Sequence, residues 1–454
     1  MARLVVPGMF AVFFVWFAAL RILQHYSFHT SAFDLSIFDY GLYYTLRGRF
    51  LWTPFLASES LLADHFSPMV LTLLPLYLLD DGPRGLLTVQ AAMVVASGVP
   101  LFLAARALLG GRAAALGITI AYFGNLYLVR GLLYDFHLEM WIPVFFLTGL
   151  WLVEVRHEPR WGVVVLAAAM LIKEDVLIYV AALALYFAVT GQRRVAMNLG
   201  VASVAYGVFV ALVGLPSLVG GASPPNALSA WAAVGRTIPE ILGYFLAHPV
   251  EAMQAFWTPT LLRLLGSFGF LPFLSPLTLL AAVPGLFVSF TGSHLQRNLS
   301  HYYAAPALPL LAWATIWALR RVQAATGRAV VYVLVAGLVL MNLNFVRMFR
   351  VTAQDREALA LIETLPRTAS IAAPSHVVPH LPKREAIYVV GATWRQEPVD
   401  FVLLDVRRRG WPLRRAAIAA LAGELEGDPS YEKVRDRHGY VLFRRNVGEA
   451  EHWP

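Results

Sequence analysis

Long apolar runs separated by short polar segments dominate this chain of 454 residues. Several runs approach the roughly 20 residues that a helix needs to cross a bilayer, whereas a β-barrel would show alternating segments of about 10 residues. The runs lie at 5–23, 86–105, 113–130, 139–153, 161–172, 176–190, 195–218, 257–271, 274–290, 303–319 and 329–347. The pattern therefore predicts an all-α polytopic membrane protein with about eleven transmembrane helices.

Two of the apolar segments need separate interpretation. The run 5–23 is too long for a signal peptide and lacks a small-residue cleavage site, so we expect a retained first helix. The run 68–79 has only twelve residues and carries Pro68 and Pro75. Its length fits either a shallow interfacial helix or a twelfth span.

Loop charge decides between these alternatives, because cytoplasmic loops carry an excess of Arg and Lys. If 68–79 does not cross and the N-terminus is cytoplasmic, the inside loops are "RALLGGR", "EVRHEPR", "GQRR" and "RRVQAATGR", all of which contain arginine. We therefore predict a cytoplasmic (inner) membrane protein with a cytoplasmic N-terminus. Residues 1–350 form the transmembrane domain, and the first outer loop, 24–85, holds juxtamembrane helices.

The tail at 351–454 is richly charged and predicts a small extracytoplasmic α/β domain. Its pattern indicates a helix near 353–365, strands at "SIAA", "AIYVV", "FVLLDV" and "YVLFRR", and a helix near 413–425. The tail contains no Gly-rich phosphate loop, nucleophile elbow or metal-ligand spacing. We expect a structural or acceptor-contacting role for it.

The composition supports the membrane class and excludes several functional classes. Hydrophobic residues make up 58% of the chain and charged residues 14%, with a mean hydropathy of +0.62. Cysteine is absent, which excludes disulfides and thiol catalysis. The net charge of +8 is spread over loops and tail, and no basic face with interleaved aromatics predicts nucleic-acid binding.

The predicted topology gathers unusual polar residues at extracytoplasmic helix ends, where ionisable groups suggest function. Asp34 and Asp39 follow the first span. One interpretation is that Asp34 caps the short helix "LSIFDYGLYYTL". The other is that one of the two acids serves as a general base or orients an acceptor hydroxyl. Five residues of separation place the two acids some 140° apart on a helix, so they need not share a ligand.

Two further segments carry carboxylates next to imidazoles. Asp64 and His65 precede Pro68 and could simply mark a helix start. In "YDFHLEMW", an extended backbone would point Asp135, His137 and Glu139 the same way. With Asp34, they could then hold a divalent cation such as Mg²⁺ or Mn²⁺. If a helix begins at 139 instead, Glu139 is a favourable first-turn acid.

The remaining candidates are cations and aromatic residues. Lys173 in "KED" is one of only three lysines and could bind a phosphate as a point charge, while Glu174 fits a span-end cap. Arg84 is similarly placed. His301 and Tyr303 in "SHYY" suit either interfacial anchoring or contact with a headgroup or sugar. Carboxylates and isolated cations facing lipid predict a polyprenyl-phosphate-linked sugar as substrate, with a glycan, lipid or protein as acceptor.

Five motifs in order resemble a known family. They are "DLSIFDYGLYYTLRGR", "LLADHFSPMVLTLLPLYLL", "YDFHLEMWIPVFFL", "LIKEDVLIYVAALALY" and "HYYAAPALPLL". They resemble the predicted membrane proteins of domain of unknown function 2079, from about residue 5 to 347. That family is in turn similar to the GT-C superfamily of glycosyltransferases, which use lipid-phosphate-linked sugars.

The GT-C resemblance implies roles for particular residues. Asp34 matches the acidic residue after the first span, Arg84 the arginine before the second span, and Asp135 a second acid in a later outer loop. "DHFSP" matches the family's Pro-Pro turn in part. The implied activity is sugar transfer. The alternative is a non-catalytic lipid-binding protein or a lipid or polysaccharide transporter, for which midplane charges and paired repeats would be expected.

Overall fold

A computed structural model describes residues 4–219, 229–343, 348–394, 397–408 and 410–446. The described chain is mostly helical and ends in a mixed sheet. Residue contacts divide it into two compact units. Unit 1 comprises Met1–Ala19, Leu62–Leu73 and Leu87–Arg347; unit 2 comprises Leu20–Leu61, Leu74–Leu86 and Met348–Pro454. Most of the predicted first outer loop therefore shares unit 2 with the tail.

The helices follow the apolar runs. They are Val5–Tyr26 (α1), Ile37–Thr45 (α2), Leu61–Asp64 (α3), Leu74–Tyr77 (α4), Pro83–Leu109 (α5), Arg112–Phe123 (α6), Leu126–Leu132 (α7), Ile142–Glu154 (α8), Pro159–Ala168 (α9), Val176–Val189 (α10), Arg193–Phe209 (α11), Leu215–Val219 (α12), Ile238–Ala247 (α13), Pro249–Phe256 (α14), Pro259–Gly266 (α15), Pro276–Leu280 (α16), Val283–Thr291 (α17), His294–Arg297 (α18), Ala307–Thr326 (α19), Arg328–Met341 (α20), Ala353–Glu363 (α21) and Arg415–Gly427 (α22). Short 3₁₀ turns include Pro68–Leu73, Leu138–Trp141, Ala169–Ile172 and Val378–His380, and Ala32–Ser36 forms a π-turn.

Membrane-spanning capacity is clearest in a few helices. In the described chain, three helices are long and apolar enough to cross a bilayer: Val5–Tyr26, Pro83–Leu109 and Arg193–Leu218. The pair α6 and α7, bent by 52°, would add a fourth. Most of the other predicted spans coincide with shorter or broken helices, and α19, although 20 residues long, is not apolar enough by the same criterion. The count of eleven therefore stays a prediction. The end of the last predicted span, 344–347, lies outside the described residues.

Close helix packing in unit 1 depends on small residues. Where α8 meets α9, a Cβ on Gly162 would lie 3.0 Å from the carbonyl oxygen of Gly149 and 2.3 Å from a Val153 methyl. A Cβ on Gly149 would lie 2.4 Å from Leu166. Glycine therefore permits a backbone approach that any larger residue would prevent, as in many membrane bundles.

The tail folds as the sequence pattern predicts, with one added strand. The strands are Ile371–Ala373 (β1), Ile387–Val389 (β2), Phe401–Asp405 (β3), Tyr431–Arg437 (β4) and Tyr440–Arg445 (β5), in the order β2-β1-β3-β5-β4. β1 is parallel to β2 and β3, whereas β5 is antiparallel to β3 and β4. Buried Val402, Leu404 and Phe443 form part of the core with Ile418 of α22.

Candidate functional site

A group of charged and aromatic side chains lies in unit 1 where α8, α10 and α19 begin. We define this Lys173 cluster as Tyr134, His137, Glu139, Lys173, His301 and Tyr302. Nζ of Lys173 donates to Oε1 of Glu139 at 3.0 Å, and both residues are buried. The same ammonium lies 5.6 Å from the ring centroid of Tyr302. A carboxylate and an aromatic face therefore compensate the lysine charge.

Aromatic and imidazole rings pack against one another beside this ion pair. The ring centroids of His137 and Tyr302 are 3.9 Å apart, and those of Tyr134 and His301 are 3.6 Å apart. Nδ1 of His137 lies 3.7 Å from Oε2 of Glu139. Tyr303, also a predicted site residue, is half-buried with its ring centroid 4.7 Å from that of Tyr302. The predicted "YDFHLE" and "SHYY" motifs thus meet in one place.

A buried glutamine of α5 holds the loop that carries Asp135. Nε2 of Gln90 donates to the carbonyls of Leu132 at 3.1 Å and Asp135 at 2.9 Å, while its Oε1 accepts from the His137 N–H at 2.7 Å. Asp135 is buried with a φ of +49°, a left-handed conformation that aspartate tolerates better than most residues. Glu139 lies in the 3₁₀ turn Leu138–Trp141. The extended alternative for this segment is therefore wrong.

Glu174 and His65 form a second contact of unit 1. Nδ1 of His65 lies 2.8 Å from Oε1 of Glu174, whose other oxygen accepts from the backbone N–H of Phe66 at 2.9 Å. Burial raises the pKa of the Glu174 carboxyl, but the hydrogen bond and charge of His65, the charge of Lys173 and a backbone hydrogen bond together outweigh it, so the net pKa lies below the usual range. Asp64 ends α3 and is half-buried. Glu174 thus anchors the segment before Pro68.

We expect Glu174→Gln to lower the free energy of unfolding by about 1.5–3 kcal/mol, the usual range for hydrogen bonds to charged groups. A lowered carboxyl pKa stabilises the fold above the unfolded glutamate pKa of about 4.3, and this stabilisation disappears as the pH falls through the folded value. Thermal unfolding in detergent at pH 7 and pH 4 measures both effects. Exposed Glu158→Gln is the control; equal losses in the two variants would contradict the anchoring role.

Asp34 lies in unit 2, in the π-turn Ala32–Ser36 before α2. Its Oδ2 accepts from the Ser31 hydroxyl at 2.7 Å, and the residue is half-buried. The backbone N–H of Ala32 donates to the carbonyl of Ser375 at 2.9 Å, which ties the turn to the tail. Ser31 and Ser36 occupy the cap positions of the π-turn and α2, so the capping interpretation of Asp34 is wrong. The helix simply begins one turn earlier than the sequence pattern indicates.

Asp39 is fully buried in the same unit. It accepts a hydrogen bond from the Tyr77 hydroxyl at 2.8 Å and pairs with the ammonium of Lys383. Burial raises the pKa of Asp39, and the Lys383 charge opposes that shift. Lys383 was not among the residues predicted from the sequence, although it too is one of only three lysines in the chain. The two acids of the segment therefore have different environments.

Arg84 is exposed in the first turn of α5 and lies 3.3 Å from Asp80. Asp34 belongs to unit 2, whereas Asp135 and His137 belong to unit 1. Across the described residues, no group of three or more His, Asp or Glu side chains is arranged to hold a metal ion. The divalent cation stays a prediction, and we derive no step through it.

Apolar helices with charged and aromatic residues at their ends define a polytopic α-helical membrane protein. The chain belongs to the family described as predicted membrane protein DUF2079, which matches residues 24–442. The resemblance predicted from the five motifs is thereby confirmed. No curated protein matches the sequence.

Two solved structures of ArnT from Cupriavidus metallidurans resemble the fold over nearly its whole length. The structure bound to undecaprenyl phosphate has a TM-score of 0.53 at 14% identity and covers 95% of this chain and 97% of ArnT. The apo structure has a TM-score of 0.52 at 14% identity and covers 96% and 98%. The chain therefore has a mostly helical, ArnT-like fold.

Proposed function

We propose that this protein is an integral membrane glycosyltransferase that moves a sugar from a polyprenyl-phosphate donor to an extracytoplasmic glycan, lipid or protein acceptor. The observation that carries the proposal is the near-full-length similarity to ArnT, whose structure binds undecaprenyl phosphate. The acids and cations predicted at helix ends are the residue types that such a transfer requires.

In the proposed reaction, the carboxylate of Asp34 accepts the proton of an acceptor hydroxyl. The acceptor oxygen bonds to the anomeric carbon, and the bond from that carbon to the lipid phosphate breaks. Lys173 and Arg84 are the cations that we assign to the departing phosphate. Asp135 and His65 assist in binding. Asp39, because it is buried against Lys383, is assigned to support of the Asp34 segment.

The test is transfer from a panel of radiolabelled polyprenyl-phosphate sugars by the purified full-length protein in proteoliposomes, with and without EDTA. We expect release of polyprenyl phosphate from at least one donor, together with labelled acceptor. Loss of activity with EDTA would support the divalent cation prediction. Tight binding of polyprenyl phosphate without turnover of any donor would contradict the enzyme and favour a lipid-binding protein.

A further inference from the structure

A second polar site lies at the opposite end of the helices that begin at the Lys173 cluster. A cavity of about 340 Å³ is lined by residues that include Glu154, His157, Thr190, Gln192, Trp317 and Arg321. α8 begins at Ile142, just after Glu139, and ends at Glu154. At 1.5 Å per residue, this helix separates the two polar sites by about 20 Å. The cavity is therefore distinct from the proposed site of transfer.

The wall of the cavity is fixed by hydrogen bonds to one carboxylate. Oε1 of Glu154 accepts from the Tyr186 hydroxyl at 2.7 Å, and Oε2 accepts from the indole N–H groups of Trp313 at 2.9 Å and Trp317 at 3.0 Å. Three donors from α10 and α19 thus satisfy this acid. Glu154 therefore links α8 to α10 and α19. It also orients the indole of Trp317, which lines the cavity.

Hydrogen-bond donors surround the remaining space. Arg321 is exposed and donates to the carbonyl of Leu274. Because a guanidinium carries five N–H donors, this contact fixes its position and leaves donors for a ligand. Gln192 and His157 add an amide and an imidazole. The Thr190 hydroxyl, which also lines the cavity, donates to the carbonyl of Tyr186 at 3.0 Å.

The chain segments that contribute to the lining of this cavity are rich in arginine. Its lining draws on the segments "EVRHEPR", "GQRR" and the start of "RRVQAATGR". These are loops that the positive-inside rule places in the cytoplasm. Basic pockets between helices on that side suit anionic headgroups.

We propose that this cavity binds a phosphate group, supplied either by an anionic lipid headgroup or by free phosphate. A phosphate offers mainly acceptors and negative charge at neutral pH, which matches the arginine, imidazole and amide donors. Both oxygens of Glu154 already accept hydrogen bonds from Tyr186, Trp313 and Trp317, so this acid does not compete with a phosphate for the donors of the cavity. The site is independent of the proposed sugar transfer.

The test is native mass spectrometry of delipidated, full-length protein titrated with phosphatidylglycerol, phosphatidylcholine or potassium phosphate. We expect phosphatidylglycerol to bind at least fivefold better than phosphatidylcholine, and Arg321→Gln to reduce the bound fraction at least fivefold. Competition by millimolar phosphate would identify free phosphate as a ligand, and its absence would identify the lipid headgroup. Both results support the site.

Two further variants keep the test decisive. Arg194→Gln, at an exposed arginine that does not line the cavity, should bind phosphatidylglycerol like the wild type. If Arg321→Gln does not fold, His157→Asn replaces it, since asparagine tolerates the left-handed backbone at that position. Equal losses in the cavity variants and in Arg194→Gln would overturn the proposal in favour of diffuse surface charge. So would the failure of both phosphatidylglycerol and phosphate to bind.

Discussion

Asp34→Asn is expected to reduce sugar transfer by about 10²–10⁴-fold, the usual contribution of a positioned general base. Asparagine keeps the size of aspartate and can still accept the hydrogen bond from Ser31, so the π-turn should persist. Thermal stability should therefore stay within the range of the wild type. Initial rates of transfer in proteoliposomes, with the donor found active, measure the effect.

Asp39→Asn is the matched variant. It should lower thermal stability, whereas Asp34→Asn should leave thermal stability unchanged. Asp39→Asn removes a buried charge whose partner, Lys383, lies in the tail of the same unit. Removing one partner of a buried pair costs about 3–5 kcal/mol, because the other charge stays buried and uncompensated. We expect a marked fall in the unfolding temperature of this variant. Unchanged transfer by Asp34→Asn would remove Asp34 from the role of base.

An element of this fold could be predicted from the sequence where neighbouring residues alone indicate its structure. Apolar runs mark helices because burial in lipid or protein requires a continuous hydrophobic surface, and within the described residues each predicted run coincides largely with helical structure. The segment that forms α13 and α14 mixes Glu240, His248 and Glu251 with apolar residues, so it gives no span signal. β4, with the sequence "YEKVRDR", is an edge strand whose charged residues hide its β-character.

The sequence indicated which residues belong to the candidate site, but not which of them contact one another. Rarity and position at helix ends marked Lys173, Glu139, Glu174 and His65 individually. Their partners depend on the tertiary fold: Glu139 and Lys173 are 34 residues apart, and Glu174 lies 109 residues from His65. Lys383 pairs with Asp39 across 344 residues. Such contacts leave no local periodicity, so a single sequence does not contain a direct signal for them.

Lys173→Met is expected to lower the free energy of unfolding by about 3–5 kcal/mol, because it leaves the buried carboxylate of Glu139 without its cation. The double variant Lys173→Met with Glu139→Gln should regain most of that loss, since no buried charge remains. A double-mutant cycle, measured by unfolding in one detergent, gives the coupling energy. Lys433→Met, at an exposed ion pair with Glu426, is the lysine control and should be indistinguishable from the wild type.

The double variant also separates structure from function at Lys173. If the lysine only balances Glu139, the double variant should recover transfer together with stability. If its ammonium also stabilises the departing lipid phosphate, stability should return while transfer stays low, because methionine carries no charge for the phosphate. Stability that does not recover in the double variant would contradict the ion-pair explanation itself. The pattern of the two measurements therefore decides between an anchor and a phosphate-binding residue.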